Sequence, residues 1–247
     1  MADPVDYKLL LSYLLVLFVV LLSYKEKLGA EWHTLESSIR TTVQLLLIGH
    51  FLNFLLHIKG GFTTWMVLAS MSVFGSFIAS ERLGLNVGFL RKFLIASVAL
   101  NVSAGFVFLV VYLLGVVKHE SIQTISLWGL VLGNSLSNVA LAVERLKAET
   151  QLRRWEIEAM VALGAPLKLA LKESMKKALH AAMLPKYNML KSAGVVHIPG
   201  VGVGMILAGA DPVSAMLYQV VVMYILLSVG FLTSFLVLNL SYRYVTL

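Results

Sequence analysis

The sequence contains no cysteine, which excludes disulfide bonds and thiolate metal ligands. It is also poor in charge, since only 13% of its 247 residues are Asp, Glu, Lys or Arg, whereas 59% are hydrophobic. A mean hydropathy of +0.85 excludes an ordinary soluble domain. The apolar runs are about 17 to 25 residues long, which suits helices that cross a bilayer, and they lack the alternation of a membrane β-barrel. We therefore predict an all-α, multi-pass protein of the cell (inner) membrane.

Further absences narrow the function. The sequence has no G-x-x-x-x-G-K-[ST] motif, so we expect no nucleotide site and no bound cofactor in this chain. No serine has an adjacent His-Asp set, which argues against a hydrolase. The basic residues are not interleaved with base-stacking aromatics, so nucleic acid is not an expected partner. The first apolar run follows no basic segment and precedes no cleavage site, which predicts an anchor that stays in the mature chain.

Hydropathy predicts about seven transmembrane helices. Most Lys and Arg residues lie in the first, third and fifth loops, so the positive-inside rule places the N-terminus outside. The sixth stretch is short, contains Pro199 and is rich in glycine, so it is either a short span or a re-entrant helix. The whole chain, 1–247, then forms one transmembrane domain. The predicted spans are residues 8–24, 38–57, 62–80, 93–117, 125–144, 195–209 and 213–240.

Residues 144–194, here called the charged segment, hold ten of the twenty Lys and Arg residues. We predict that this segment is a cytoplasmic helical platform within the transmembrane domain. Residues 144–163 favour a helix throughout, so span five is expected to continue as one rod roughly 30 Å long. Three i,i+4 ion pairs would support the rod: Arg145 with Glu149, Glu149 with Arg153, and Arg154 with Glu158.

The rod should end at Gly164-Ala165-Pro166, here called the corner, because glycine suits a helix C-terminus and proline suits the first turn of the next helix. The next helix is amphipathic, with Leu171, Met175 and Ala178 on an apolar stripe and lysines on another. Two interpretations stay open for this segment. It lies on anionic lipid as an interfacial helix, or it docks a soluble protein partner.

Several polar side chains fall within the predicted spans, where they are costly and therefore candidates for a transport path. Asn134 and Asn138 share one face of span five at i,i+4 spacing, and Gln44 lies within span two. Such amides either coordinate a cation through oxygen or form interhelical hydrogen bonds. Further candidates for the path are Met205, Asp211 and Gln219, for which apolar packing or helix capping is the alternative role.

Gly200, Gly204 and Ala208 form a small-xxx-small face on which two helix backbones can approach closely. This predicted helix-packing face would lie either at the seam of a homodimer or within one subunit. Two histidines of span two, His50 and His57, are two turns apart, so helix packing is the favoured interpretation and the metal ligands stay unknown.

Four passages resemble the FetB-like iron-export permeases of ABC transporters, a family related to plant permeases implicated in aluminium tolerance. The passages are RTTVQLLLIG (40–49), GLVLGNSLSNVAL (129–141), ALGAP (162–166) and the long run from MLPKYN to SAMLYQ (183–219). The resemblance covers nearly the whole chain. The chain departs from the family's LPGMM-[TS]-G pattern at His197-Ile198 and at Val201-Gly202-Val203, so the cargo is less firmly implied.

The resemblance implies a permease subunit that exports iron or another metal cation. It also implies a homodimer that is powered by a separate ATP-binding subunit, with ATP and Mg²⁺ bound there. By a looser resemblance to the coupling loops of import permeases, the ATPase contacts would be Glu158, Gly164, Ala165 and the adjoining Pro166. The alternative function is a self-powered secondary transporter or channel for a cation or small polar solute, which usually needs carboxylates near mid-membrane.

Overall fold

The computed structural model describes residues 4–57, 61–115 and 121–245 of the chain. Every regular element in these ranges is helical, which confirms the all-α prediction. The chain divides into two compact units, residues 1–60 and residues 61–247, and each is described by itself. The helices are α1 (Pro4–Lys25), α2 (Glu31–His57), α3 (Gly61–Arg82), α4 (Phe89–Leu113), α5 (Ser121–Leu152), α6 (Arg154–Ala162), α7 (Leu167–Ala170), α8 (Lys172–Ser192), α9 (Gly200–Leu207) and α10 (Pro212–Ser241), followed by a 3₁₀ turn (Tyr242–Tyr244).

The first unit is a hairpin of α1 and α2. The Ser23 hydroxyl donates to the carboxylate of Glu31 at 2.8 Å and accepts from the backbone N–H of Ala30 at 3.2 Å. Nearer the middle of both helices, the hydroxyls of Tyr13 and Thr42 are hydrogen-bonded at 2.6 Å. Because membrane helices gain little from apolar contact alone, such polar bonds are what hold the pair in register.

The second unit is a bundle of long helices, in which α10 packs against α4, α5 and α8, and α3 packs against α4 and α5. Small side chains at the centre let the helices approach closely. Polar bonds also join α3 to its neighbours, because Ser76 accepts from Asn101 at 3.1 Å and Ser72 accepts from the Trp128 indole at 3.2 Å. The fully buried residues at the centre include Ala96, Ala99, Leu100, Val139, Ala142, Val143, Val229 and Val237.

The outer surface of α4 is as apolar as the core. Leu90, Leu94, Val98, Val102 and Phe106 follow one another at i,i+4 spacing, and all five are exposed. A continuous stripe of this kind suits hydrocarbon rather than water. By length and composition, four helical stretches within the described ranges are able to cross a membrane: Phe62–Arg82, Phe89–Leu113, Gln123–Leu152 and Pro212–Tyr244.

The predicted count of seven spans is not confirmed. The sixth predicted span, residues 195–209, contains only the eight-residue helix α9, which is about 12 Å long at 1.5 Å per residue. A bilayer core is about 30 Å thick, so α9 does not cross it alone. The first predicted span contains a shorter apolar stretch, Leu11–Lys25. Residues 116 and 117 of the fourth predicted span lie outside the described ranges, and the predicted orientation stays a prediction.

The single rod predicted for residues 144–163 is wrong, because the helix is interrupted at Arg153. There φ is −107° and ψ is 20°, which separates α5 from α6. Arg153 does not pair with Glu149 as predicted. Its Nε donates instead to Glu156 at 2.9 Å, and this bond lowers the pKa of the Glu156 carboxyl. The other two predicted pairs are confirmed, Arg145 with Glu149 at 3.3 Å and Arg154 with Glu158 at 2.7 Å.

Helix α8 runs antiparallel to α5 and packs along it. The Lys177 ammonium lies 3.8 Å from the Glu149 carboxylate, and further along α8 the backbone oxygen of Ala182 accepts from Asn138. The second half of α8 therefore packs on the apolar part of α5, whereas we expected the whole charged segment to lie outside the bilayer. The apolar stripe of α8 is covered by α5 and α10, so it is not free to lie on a lipid surface.

Candidate functional site

Asn138 lies where three helices meet. Its Nδ2 donates to the backbone oxygen of Ala182 in α8 and to Oγ of Ser234 in α10, both at 3.2 Å. The side chain is buried, and its Oδ1 has no hydrogen-bond partner among the described residues. Buried amides of this kind are normally satisfied, so the unpaired oxygen marks a place where another group can bind.

The neighbouring amide, Asn134, binds a buried lysine. Lys186 of α8 is only 8% exposed, and its Nζ donates to Oδ1 of Asn134 at 2.8 Å. The Asn134 Nδ2 donates to the backbone oxygen of Leu130 at 2.9 Å within α5. Neither α10 nor the stretch 121–143 of α5 contains a charged residue, so no carboxylate on these helices pairs with the ammonium. We call Asn134, Asn138, Lys186 and Ser234 the amide cluster.

Gly230 of α10 faces the same small space as the two amides and the lysine. A Cβ at this glycine would lie 3.2 Å from Oδ1 of Asn138 and 3.4 Å from Cε of Lys186. Because both atoms are close to one point, the unpaired amide oxygen and the lysine chain converge there. Any side chain at position 230 would push against them.

The sequence analysis included Asn134 and Asn138 but missed Lys186, because this lysine was counted with the basic residues of the charged segment. A signal was present in the sequence. Residues 178, 182 and 186 repeat at i,i+4, so Lys186 continues the apolar stripe that begins with Ala178 and Ala182. A lysine at the end of a buried stripe is a candidate for a functional group.

A groove of about 710 Å³ leads along α8 toward the amide cluster. At one end it is lined by Glu149, Glu173 and Lys177, and further along by Met183 and Phe231. The sulfur of Met183 also lies 4.0 Å from Nδ2 of Asn138. Met183 therefore lies between the groove and the amide cluster.

The corner closes α6 with a Schellman motif. The Gly164 N–H donates to the Val161 carbonyl at 2.9 Å, and the Ala165 N–H donates to the Met160 carbonyl at 3.0 Å. Gly164 has φ of +90°, a left-handed conformation that only glycine adopts at low cost. Pro166 then precedes α7 as its N-cap. The prediction that Gly164 ends one helix and Pro166 starts the next is confirmed, with the proline one position earlier than expected.

Large apolar side chains project from the helices around the corner. Leu152 is 79% exposed, Trp155 is 83% exposed and Leu163 is 89% exposed. These three residues, here called the apolar knuckle, stand in the most charged part of the chain. The sequence analysis missed Trp155 and Leu163, although both interrupt a run of charged and small residues.

A small core holds the corner in place. Ile157 of α6, Ala170 of α7 and Leu171 are buried together, and Tyr242 packs against them. Of the predicted coupling residues, Glu158 pairs with Arg154, Ala165 is half-buried, and Gly164 and Pro166 are exposed. Their role in coupling stays a prediction.

Two of the predicted path residues, Gln219 and Asp211, have structural roles where α9 packs against α10. Oε1 of Gln219 accepts from the Gly202 N–H at 2.8 Å and so satisfies a free donor in the first turn of α9. The Asp211 carboxylate accepts from the backbone N–H of Ser214 at 2.9 Å, as expected of an N-cap. Met205 of α9 is half-buried.

The predicted packing face of Gly200, Gly204 and Ala208 is exposed, so the described residues of the second unit do not cover it. Within α9, the glycine that packs against α10 is Gly202, which the sequence analysis did not single out. A Cβ there would lie 2.4 Å from Cε of Met216 and 3.3 Å from Cβ of Gln219.

Gln44 belongs to the first unit, where its side chain is exposed on α2. Its predicted place in a transport path stays a prediction. Among the described residues, no three His, Asp or Glu side chains lie together in a way that could hold a metal ion.

The helical fold, the outward-facing apolar stripe and the membrane-length helices define a multi-pass helical membrane protein. Within that class, the chain belongs to the Uncharacterised protein family (UPF0014), whose family model matches residues 7–246. No solved structure matches the chain.

Relatives extend over nearly the whole sequence. The Probable iron export permease protein FetB of Escherichia coli is 29% identical over 95% of this chain and 90% of its own length. The UPF0014 membrane protein YjkA of Bacillus subtilis is 29% identical over 96% of this chain and 94% of its own length. Protein ALUMINUM SENSITIVE 3 of Arabidopsis thaliana is 26% identical over 90% of this chain and 81% of its own length. Membership confirms the resemblance inferred from the sequence passages.

Proposed function

We propose that this chain is the transmembrane permease subunit of an ABC transporter that exports iron or another metal cation. Two copies of the chain would assemble with two ATP-binding subunits, and ATP and Mg²⁺ would bind to those partners. The name of the Escherichia coli relative supports the permease assignment and suggests iron as the cargo. Membership of a family of membrane proteins is consistent with a transporter rather than an enzyme.

The observation that carries the ABC assignment is the apolar knuckle. An exposed Trp and two exposed Leu residues cost solubility unless a partner covers them, and aromatic anchors are typical of protein interfaces. The corner that presents them is rigid, because the Schellman motif and the small core beneath it fix α6 against α7. A rigid projection with an apolar tip is suited to dock a soluble motor and to transmit its movement to α5.

The amide cluster is the proposed cargo site. It lies between α5, α8 and α10, and the groove along α8 offers a route to it from the charged end of α5. We propose that Gln44, Met205, Asp211 and Gln219 line other parts of the path. Gly200, Gly204 and Ala208 form an exposed small-residue face, which suits the seam between two copies.

A secondary transporter remains the second candidate because Lys186 is an ionisable group among membrane-length helices. Coupling to protons or sodium ions normally uses buried carboxylates, however. Helix α10 and residues 121–143 of α5 carry none, and the buried carboxylate of Glu149, near the charged end of α5, is paired with Arg145 and Lys177. The ABC assignment therefore has the stronger support.

Purification from native membranes tests this function. We expect the tagged chain to recover an ATP-binding subunit in mild detergent, and we expect Fe²⁺ to stimulate ATP hydrolysis by the purified complex. An unrelated multi-pass protein with the same tag controls for nonspecific capture. Recovery of the chain without any ATP-binding subunit would contradict the ABC assignment, and hydrolysis unaffected by Fe²⁺ or Mn²⁺ would contradict the cargo.

A further inference from the structure

We propose that Lys186 is a tethered competitor of the cation cargo, because its ammonium occupies Oδ1 of Asn134, one of the oxygen ligands of the amide cluster, when no cargo is bound. The inference rests on the proposed function for its cargo, a cation that passes between α5, α8 and α10. The competitor itself is defined by contacts within this chain.

The site is built from buried groups. Lys186 is 8% exposed and Asn138 is 2% exposed, and both belong to helices that pack tightly on each other. One amide oxygen, on Asn134, already accepts from the ammonium, and a second, on Asn138, is buried without a partner. The Gly230 contacts show that this second oxygen and the lysine chain approach the same space. The ammonium is bound to the Asn134 oxygen, and the Asn138 oxygen lies near the lysine chain without being bound to it.

An ammonium and a metal cation require the same ligands here. Amide and hydroxyl oxygens suit hard cations, and a protonated lysine uses the same oxygens as hydrogen-bond acceptors. Two positive charges a few ångströms apart in a poorly solvated site repel strongly, so the cluster cannot hold both at once. A cargo ion binds only after the ammonium has left the amide oxygens.

The lysine is able to leave because its chain is long and flexible. The residues beside it on α8, Leu184 and Pro185, are exposed, as are Gly133 and Ser137 on α5 beside Asn134. An entering ion would displace the ammonium toward this open side. When the ammonium returns, it expels the ion, and this return would favour release over rebinding in a transporter that exports its cargo.

Direct binding of Mn²⁺ to the full chain tests the proposal without ATP or the ATPase. The chain is placed in nanodiscs of neutral phosphatidylcholine, and free Mn²⁺ is measured by its EPR signal. We expect Lys186→Met, which keeps the length of the side chain and removes its charge, to bind Mn²⁺ on the order of tenfold more tightly or better than the original chain. Lys186→Arg should bind as weakly as the original.

Two further variants locate the effect. Lys191→Met removes an exposed lysine from the same helix and should leave Mn²⁺ affinity unchanged. Adding Asn138→Leu to Lys186→Met should remove the gained binding, because it deletes the free amide oxygen. Lys186→Gln serves as a second neutral variant, and all variants are compared as single, monodisperse species.

Equal affinity in the original chain and both neutral variants would overturn the proposal, as would no Mn²⁺ binding in any of them. Weaker binding in Lys186→Met would also overturn it, and would instead indicate that the lysine serves an anionic cargo. Failure of the proposed ABC function is distinguishable, because it appears as loss of a co-purified ATPase, which this binding measurement does not involve.

Discussion

The apolar knuckle and the amide cluster differ from their surroundings in opposite ways. The knuckle places exposed Trp155 and Leu163 in the most charged part of the chain. The amide cluster places a charged lysine between helices that are otherwise apolar. Trp155, Leu163 and Lys186 all belong to the charged segment, residues 144–194, which the composition alone presents as a single basic platform.

The difference lies in where the partner is found. Lys186 has a partner within the chain, Asn134, and is buried with it at 2.8 Å. The knuckle side chains are exposed within the described residues, and under the proposed function an ATP-binding subunit covers them. The two ends of the charged segment therefore differ: Lys186 is buried in the bundle, whereas the knuckle is exposed.

The largest expected effect comes from removing the knuckle. Trp155→Ala combined with Leu163→Ala should reduce co-purification of the ATP-binding subunit by about tenfold or more, because exposed aromatic anchors contribute most of the energy of an interface. The fold should not change, since neither side chain is buried. Quantitative pull-down from membranes measures the effect.

The matched control removes two leucines that face away from any proposed interface. Leu90→Ala combined with Leu113→Ala on α4 deletes similar exposed apolar area, 70% and 73% exposed. This variant should recover the ATP-binding subunit normally. Equal loss in both variants would show that the knuckle is no different from the lipid-facing surface, and the comparison would fail.

A second prediction concerns the cluster. Asn138→Leu should lower the free energy of unfolding in mixed micelles by about 1 to 3 kcal/mol, because it removes hydrogen bonds that join α5 to α8 and α10. Ser137→Leu, at the adjacent exposed position, should change it by less than about 0.5 kcal/mol. A titration with SDS monitored by circular dichroism measures both. If the two variants are equally stable, the cluster does not hold the helices together.

Much of the fold could be predicted from the sequence, for reasons that are local. Long apolar runs give membrane-length helices, and Asp211-Pro212 and Gly164-Ala165-Pro166 mark helix ends where the structure has them. The break at Arg153 could not be predicted, because the sequence around it favours a helix. In addition, the observed ion pair of Arg153 with Glu156 is spaced i,i+3, and the expected pair with Glu149 is spaced i,i+4, and both spacings suit a helix. The short length of the sixth stretch was expected from Pro199 and its glycines, whereas the exact bounds of α9 were not.

The sequence analysis predicted two of the four residues of the amide cluster, Asn134 and Asn138. The amides at 134 and 138 stand out because amides are rare in apolar runs, and their spacing places them on one face. Lys186 does not stand out, because it is one of ten basic residues in the charged segment and its burial depends on α8 packing back onto α5. That packing is a long-range contact, and periodicity within one helix gives no information about which partner covers it.

Two glycines test the comparison further. Gly230 is required in the amide cluster because space is short there, and Gly164 is required at the corner because its backbone φ is positive. Gly230→Ala should perturb the amide cluster, because the new Cβ would lie 3.2 Å from Oδ1 of Asn138. Gly164→Ala meets no atom within 4 Å, yet its φ of +90° is strained for any other residue. We expect each change to reduce stability by about 1 to 2 kcal/mol.

The two variants should affect different measurements. Gly230→Ala should alter Mn²⁺ binding and leave recovery of the ATP-binding subunit unchanged. Gly164→Ala should do the reverse, because it distorts the corner and leaves the cluster intact. If both variants changed both readouts, the two regions would act as one unit rather than as two separate functional surfaces.

The smallest effect is expected at α9, where two glycines lie on opposite faces of the helix. Gly202 is on the face covered by α10, and Gly204 is on the exposed face. Gly202→Ala places a Cβ against Met216 and Gln219, at 2.4 Å and 3.3 Å. The methionine end can move, so the loss of stability should be about 1 kcal/mol. Gly204→Ala meets nothing within 4 Å and should stabilise the isolated helix slightly, since alanine favours helix over glycine. If Gly204→Ala instead weakens a purified homodimer, measured by light scattering in detergent, then the exposed small-residue face is the seam between two copies, and a third surface of this chain has its partner outside it.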